Sequence, residues 1–410
     1  MSTFFEKSGE KQGTTFIFSL ALDKKDGVLY NYIVGDSLTK GFCMNKIYNF
    51  SAGPSMLPEE VLVKARLELL DYKGTGCSVM EMDCNSAEYI EIMDECENAL
   101  RELMHIPQNY RILFLPGGVT TQFSAIPQNL MSDHRSADYV ITGQHSKKAY
   151  LEAKKYGDIA IAASSAGASP TFSTIPVLKS SDFRPDADYV HVCYNNSIYG
   201  TRFSTVPETG SIPLVAEMSS CILSEPVDVS RFALIYASAQ QNMGIAGLTV
   251  VIVRDDLIGG ARADTPATLD YKLQVQNRSM LDTPPAYAIY MMKLMLEWTL
   301  ENGGLDEMKR RNERKAGVLY DYLDSQQYYT SPVDRKCRSM TNVHFVTGDA
   351  KLDEKFVKEA KKAGIIGISG HKSVGGMCAS LYNAMPLYAV ERLIKFMADF
   401  ANDNTKLSGY

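Results

Sequence analysis

No stretch of this sequence approaches the ~20 consecutive apolar residues that a membrane-spanning helix requires. The longest apolar runs, such as Gly247–Val253, fall far short of it. No secretory leader is expected, because the first eight residues already include Glu6, Lys7 and Ser8 where an apolar core would lie. Cysteine is sparse and scattered, with eight residues at 43, 77, 84, 96, 193, 221, 337 and 378, no CxxC pair and no His-rich cluster. That pattern argues against a zinc site and, in a chain of 410 residues, against a disulfide framework. The thiols read as small apolar residues in a reducing, cytoplasmic setting. No excess of basic charge is present either. The formal net charge of −6 argues against non-specific nucleic-acid binding and a basic membrane-binding face.

The composition, 45% hydrophobic and 22% charged, is that of an ordinary folded protein. Residues 1–43 read differently from the rest. Thr14–Leu22 suits one strand, whereas Lys24–Gly27 and Gly35–Gly41 carry turn and loop chemistry. This segment is expected to be an appendage or an upstream translation artefact, since MNKIYNFSAGP from Met44 would itself serve as a start. From there helical spacing predicts helices over Pro58–Tyr72 and Ser86–Ile106. Short apolar runs then mark strands at Arg111–Leu115, Tyr139–Thr142, Ile159–Ala163, Tyr189–Cys193, Pro213–Met218, Ala233–Ala237 and Leu248–Arg254. Strands apolar on both faces, alternating with helices, predict an α/β domain over 44–300 built on a mostly parallel seven-stranded sheet. Beyond Pro284-Pro285 come the helices Ala286–Leu300, which holds the single tryptophan Trp298, and Leu305–Ser325. Strands at Ser339–Val346 and Gly375–Tyr382 and helices at Asp353–Ala363 and Leu387–Phe400 complete a smaller α+β domain, 301–410, against which 44–57 is expected to pack.

In a parallel sheet, ligands bind beyond the carboxyl ends of the strands. Pro116-Gly117-Gly118-Val119-Thr120-Thr121 lies at such an end, before a helix around Gln122–Leu130. Glycines permit close backbone approach, and a helix start offers free N–H groups to an anion. A strand-to-helix turn without a ligand has the same composition. Ser238–Gly244, rich in amides, and Glu217-Met218-Ser219-Ser220 end two further strands.

Several segments resemble the phosphoserine aminotransferase family, within the class V aminotransferases: NFSAGPSMLPEEVL (49–62), DYKGTGCSVMEM (71–82), FLPGG (114–118), ADYVITG (137–143), RPDADYV (184–190), EPVDVSRFALIY (225–236), TPPAYAIY (283–290) and GHKSVGGMCASLYNAMP (370–386). The resemblance runs in unbroken order from about Met44 to Phe400. It implies the aspartate-aminotransferase type of fold (fold type I) and a homodimer with two sites at the subunit interface. The implied reaction moves an amino group between glutamate and 3-phosphohydroxypyruvate through pyridoxal phosphate. That chemistry needs a Schiff-base lysine, a carboxylate on the pyridinium nitrogen, a stacking ring, a phosphate cup and arginines for the substrate's acids.

Carried over residue by residue, the kit is incomplete. The family's Ala-Gln-Lys-Asn-like loop is Ala239-Gln240-Gln241-Asn242 here, and no lysine lies between Lys179 and Lys272. The pyridinium aspartate falls on Glu217, the stacking tryptophan on His145, and a threonine beside the ring on Ser197. Gly117, Gly118, Val119, Thr120, Gln240 and Thr283 remain for the cofactor, but Asp282 stands where an asparagine of the partner would reach the phosphate. An acid there repels a phosphate. On the substrate side Cys84-Asn85 replaces a His-Arg pair, His371-Lys372 another, and Cys378 an arginine. Lysine for arginine loses the bidentate fork, and cysteine loses the charge.

The resemblance together with these departures implies a retained fold that has lost phosphoserine transamination. It would act as a pseudoenzyme, a ligand binder, or a homodimer or heterodimer with an active paralogue. One alternative is a working phosphoserine aminotransferase of serine biosynthesis. Another is a lysine-free enzyme holding pyridoxal or pyridoxamine phosphate non-covalently, with His145 as base; His145 equally suits the plain role of filling the tryptophan's space. No metal is expected, nor a nucleic-acid or membrane partner. The cluster Met291, Met292 and Met295 is expected in the core, and Lys147, Lys148, Lys154 and Lys155 on a solvated helix face.

Overall fold

The computed structural model describes residues 17–22, 29–34, 47–131 and 134–405. Two strands, β1 (Ile17–Leu22) and β2 (Leu29–Val34), pair antiparallel, with Ile17 opposite Val34 and Leu22 opposite Leu29. The first falls within the expected strand Thr14–Leu22, and the second has no counterpart in the sequence reading. The expected turn Lys24–Gly27 and loop Gly35–Gly41 lie outside the described residues. Tyr48–Tyr410 forms a separate compact unit.

That unit opens with β3 (Tyr48–Asn49) and α1 (Glu59–Leu67). α1 stops short of the expected Tyr72, ending at Leu67 with Glu68 as its C-cap, and the positive φ of Lys73, Gly74 and Gly76 turns the chain further on. α2 (Ala87–Met104) starts on Ser86, whose hydroxyl accepts the Tyr89 N–H, and ends on His105 in the left-handed conformation. Then come β4 (Tyr110–Pro116), α3 (Thr120–Leu130), β5 (Ser136–Ile141), α4 (Gln144–Ala153), β6 (Asp158–Ser164) and β7 (Tyr189–Cys193). A small hairpin, β8 (Asn195–Asn196) with β9 (Thr201–Arg202), precedes β10 (Leu214–Glu217), β11 (Leu234–Ser238) and β12 (Leu248–Arg254).

All seven expected strands join one sheet in the order β4-β12-β11-β10-β7-β5-β6. β12 runs antiparallel to both its neighbours, and every other pairing is parallel. Alternation along the strands divides the core. Leu248, Val250 and Ile252 of β12 and Ile235 and Ala237 of β11 pack on the α2 and α6 side. Val251, Val253, Leu234 and Tyr236 face the α3 and α4 side. Polar tips on this second face are paired: Tyr139 Oη with Tyr189 Oη at 2.8 Å, and His191 Nε2 with Tyr236 Oη at 2.8 Å.

The rest comprises α5 (Tyr271–Gln276), α6 (Ala286–Glu301), α7 (Gly304–Ser325), β13 (Asn342–Phe345), α8 (Ala350–Lys362), β14 (Ile365–Ile366), β15 (Met377–Ser380) and α9 (Leu387–Thr405). β13 and β15 are shorter than expected, in part because Gly375 and Gly376 take positive φ before β15. α8 begins earlier than expected, since Asp349 caps it. β14 pairs in parallel with β3, joining the N-terminal stretch to the C-terminal elements. Met291, Met292 and Met295 are buried, and Lys147, Lys148, Lys154 and Lys155 are exposed, as expected. Among the described residues no helix is long and apolar enough to cross a membrane.

α7 carries one charge-bearing side chain into this interior. Lys315 is 2% exposed and its Nζ donates to the Tyr382 carbonyl at 2.6 Å. Burial, with the Arg311 charge adding to it, lowers its pKa to about 7. The folded pKa lies below the unfolded one, so the unfolded chain binds the extra proton between about pH 7 and 10.5. Stability therefore gains up to ~1.4 kcal/mol per pH unit from this group as pH rises through that window, and the penalty is complete below it. Lys315→Met is expected to be more stable than the natural chain at pH 7 and to lose this part of the pH slope, as urea melts from pH 6 to 10 will show.

Candidate active site

Six strands of the sheet finish at the same edge, β4 at Pro116, β5 at Ile141, β6 at Ser164, β7 at Cys193, β10 at Glu217 and β11 at Ser238. β12 enters there instead. Gly117, at φ +94°, donates its N–H to the Gly247 carbonyl at 2.9 Å and accepts from Thr249 Oγ1 at 3.0 Å. The turn is thereby braced by the incoming strand. The next three amides, of Gly118, Val119 and Thr120, have no protein acceptor among the described residues and sit at the start of α3. Three free N–H groups at a helix start form an anion cradle.

Glu217, 4% exposed, is held by its own chain. Oε1 accepts the Ser219 N–H at 2.9 Å, and Oε2 accepts from Cys193 Sγ at 3.1 Å, directly across the β7–β10 register. Burial and the adjacent Glu217 charge push the Cys193 thiol well above its ordinary pKa, so it stays a protonated donor. His145 lies in the first turn of α4, where Ser146 Oγ accepts the N–H groups of Thr142 and Gly143; His145 Nδ1 is buried without a partner. Gln241 is buried after β11. Its Nε2 donates to the Ala52 carbonyl at 3.1 Å, while Oε1 is buried without a partner.

The other expected site residues distribute unevenly. Cys378, on β15, donates to the Ser197 carbonyl at 3.6 Å, and burial pushes its pKa up to about 12. Asn85 is exposed and turned onto Asp83 Oδ1 at 3.2 Å. His371 and Lys372 are exposed, with His371 Nδ1 accepting from the Ser373 hydroxyl at 2.7 Å and its amide at 3.2 Å. Asp282 and Thr283 are exposed and bonded to each other, Thr283 N–H to Asp282 Oδ1 at 2.7 Å. No hydrogen bond or ion pair among the described residues brings Asn85, Lys372 or Asp282 to the strand ends. Sequence reasoning missed Cys193 as the partner of Glu217 and Ala52 as the acceptor for Gln241. It also missed the buried amide Asn195, whose Nδ2 reaches Ser220 Oγ at 2.7 Å and Asn342 Oδ1 at 3.0 Å. A carboxylate and a thiol at the ends of adjacent strands, and the NFSAGP segment, were the available signals.

This geometry can hold the phosphate of a small ligand on main-chain N–H groups and set a buried carboxylate against a ring nitrogen. It offers no amine at 241 for a covalent bond to an aldehyde.

The Aminotransferase class-V family model matches residues 47–393, and the chain belongs to that family. Within it, the similar proteins are phosphoserine aminotransferases. That of Nitrosomonas europaea is 50% identical over 369 residues, covering 88% of this chain and 100% of its own length. One from Bacillus cereus is 48% identical over 361 residues with the same coverage. The solved phosphoserine aminotransferase of Bacillus circulans subsp. alkalophilus superposes with a TM-score of 0.84 at 41% identity, covering 88% of this chain and 99% of that one. The pyridoxal-phosphate-bound enzyme of Trichomonas vaginalis gives 0.80 at 35%, with 86% and 100% covered. These findings bear out the expected family and fold. They favour a working enzyme over the expected loss of activity, for which they offer no support.

Gly117→Ala is expected to lower stability by about 1–2 kcal/mol, the cost of a left-handed residue with a Cβ. Gly118→Ala, whose added Cβ would meet nothing within 4 Å, is expected to melt like the natural chain. Thermal denaturation of the two variants checks the turn.

Proposed function

We propose that this chain is a phosphoserine aminotransferase, exchanging an amino group between glutamate and 3-phosphohydroxypyruvate with pyridoxal phosphate, in serine biosynthesis. The observation that carries this reading is identity of 48–50% over the whole length of relatives bearing that name. Pyridoxal phosphate, when bound, supplies the electron sink for amino transfer. The amides of Gly118, Val119 and Thr120 would hold its phosphate, with Thr283 of a second copy beside them. Glu217, kept in place by Ser219 and Cys193, would face the ring nitrogen, and His145 and Ser197 would flank the ring. Gln240, in the loop after β11, would contribute to the cofactor's pocket. Gln241 has no amine, so the cofactor on this reading is held non-covalently, and the proton that moves at the reacting carbon needs another base, for which His145 has the suitable chemistry. His371 and Lys372 would receive the acidic substrate.

A second reading is favoured by one observation, the amide of Gln241 turned onto Ala52. On it the fold and the ligand cradle persist and exchange is lost, because covalent capture and proximity together account for many kcal/mol of a transaminase barrier. We further propose that the chain works as a dimer in the cytoplasm. Leu62, Val63, Leu67 and Leu70 expose an apolar surface on and after α1, and the seven described cysteines are all free. Sedimentation of the purified chain is expected to give twice the chain mass.

The deciding experiment is a transamination assay with glutamate, 3-phosphohydroxypyruvate and excess pyridoxal phosphate, run on the natural chain and on Gln241→Lys. Turnover by the natural chain establishes the first reading. Silence of the natural chain with activity in the variant establishes the second and places the lesion at 241. Silence of both shows that the substrate grip is lost as well. Borohydride reduction followed by peptide mapping is expected to add a pyridoxyl phosphate group at position 241 in the variant only.

A further inference from the structure

The chain enters β15 through a turn over residues 370–376 that carries His371 and Lys372. The main-chain hydrogen bonds of this turn close on themselves. Gly370 N–H donates to the Gly376 carbonyl at 2.8 Å, and the N–H groups of Val374 and Gly375 donate to the His371 carbonyl at 2.8 and 2.9 Å. Such bonds give the turn its shape but leave open how it tilts against the rest of the chain. Two contacts fix the tilt. Val374 packs against the core on the α3 and α4 side. His344 on β13, 1% exposed, bonds the Gly375 carbonyl through Nε2 at 3.1 Å. A carbonyl only accepts, so Nε2 carries the hydrogen. Among the described residues this is the side-chain hydrogen bond that reaches the turn from another element.

We propose that His344 is a positioning residue, whose hydrogen bond to Gly375 holds the turn in the posture that presents Lys372 and His371 to the acidic substrate. It rests on the reading above that these two residues receive that substrate. The fit around the imidazole is close. A Cβ on Gly376 would fall 2.6 Å from Val346 Cγ1 and 2.9 Å from the Phe345 carbonyl, so the chain leaving the turn runs flush against β13. A Cβ on Gly200 would come within 3.3 Å of His344 Cβ. Burial lowers the His344 pKa, so the ring is neutral near pH 7 and its single N–H is the one given to Gly375. His344 lies directly opposite Cys378 in the β13–β15 register, and the two side chains share a face. Burial keeps the Cys378 thiol protonated, so position 378 offers an acid no charge. The acid then depends on the cation that the turn brings, and affinity falls with the fraction of time the turn spends out of place.

Two measurements test it. Hydrogen exchange of the Val374 and Gly375 amides, with α9 as internal control and no ligand, reads the turn. Calorimetric binding of 3-phosphohydroxypyruvate, with excess pyridoxal phosphate and no glutamate, reads the site. His344→Phe keeps a ring and removes the donor, and is expected to speed exchange and weaken binding, each by about 10-fold. His344→Gln keeps an N–H at similar reach and removes the ring, and is expected to stay within about 3-fold of the natural chain in both. A side chain that only filled space would give the reverse order. That reverse order overturns the proposal, and so does unchanged exchange or unchanged binding in folded His344→Phe. Lys372→Ala separates this from the reading beneath it. If Lys372→Ala weakens binding and His344→Phe does not, the proposal alone fails. If Lys372→Ala binds as the natural chain does, or the natural chain does not bind, the substrate reading of the turn fails and takes the proposal with it. Should His344→Phe not fold, nitrogen NMR of the natural chain decides, with the His344 ring assigned by its absence from His344→Gln. A ring protonated at Nε2 is expected, and one protonated at Nδ1 alone overturns the proposal, because Nε2 would then meet the Gly375 carbonyl acceptor to acceptor.

Discussion

A strand buried on both faces has nowhere to put chemistry except its ends. The inner strands of the central sheet carry apolar side chains towards helices on either side, β10 and β11 without an exposed residue between them, while the edge strand β6 leaves Ile161 exposed. Polar groups that stray into the sheet are matched inside it, as His191 is with Tyr236 and Tyr139 with Tyr189. Because the parallel strands point the same way, everything polar that needs access collects along one edge. The main-chain turn at Gly117, the carboxylate at Glu217 and the amides after Ser238 come together for this reason.

The groups at that edge are held less by proximity in the chain than by buried neighbours with complementary hydrogen-bonding needs. Glu217 is an acceptor twice over and receives a thiol and a main-chain amide. The thiol stays protonated because it is buried beside a negative charge, which makes it a dependable donor. Asn195, Ser220, Ser339, Thr341 and Asn342 complete one another across the junction with β13, Ser339 Oγ reaching Asn195 Oδ1 at 2.6 Å. A buried polar group is costly alone and stable in such a set, so these contacts specify one arrangement of the strand ends.

Apolar runs and turn residues announced the sheet in the sequence, and its seven strands lie where those runs lie. The Gly117-Gly118 turn was legible for the same local reason. Motif order carried the family, and it pointed to Gln241, Glu217 and Ser197. Pairings across long separations carried no local signal: Gln241 meets Ala52 over 189 positions, and Tyr382 meets it over 330. The end of α1 escaped periodicity because Leu69 and Leu70 continue its apolar pattern, whereas the helix stops at Leu67 with Glu68 as its C-cap. Asn85 and Lys372 were assigned by position in a motif; in the single chain their side chains lie on exposed turns, as motif position says nothing about which way a loop faces.

β12 differs from its companions in direction, and that has an evolutionary corollary. A strand arriving at the site leads with its own main chain, and it braces Gly117 through the carbonyl of Gly247 and the hydroxyl of Thr249. Recognition written in backbone atoms is shielded from point substitution in a way that a lysine, an aspartate or an arginine is not. Sequence drift at such an edge therefore erodes it unevenly. Replacing a side chain beside Gly117 leaves the amides of Gly118, Val119 and Thr120 pointing where they did.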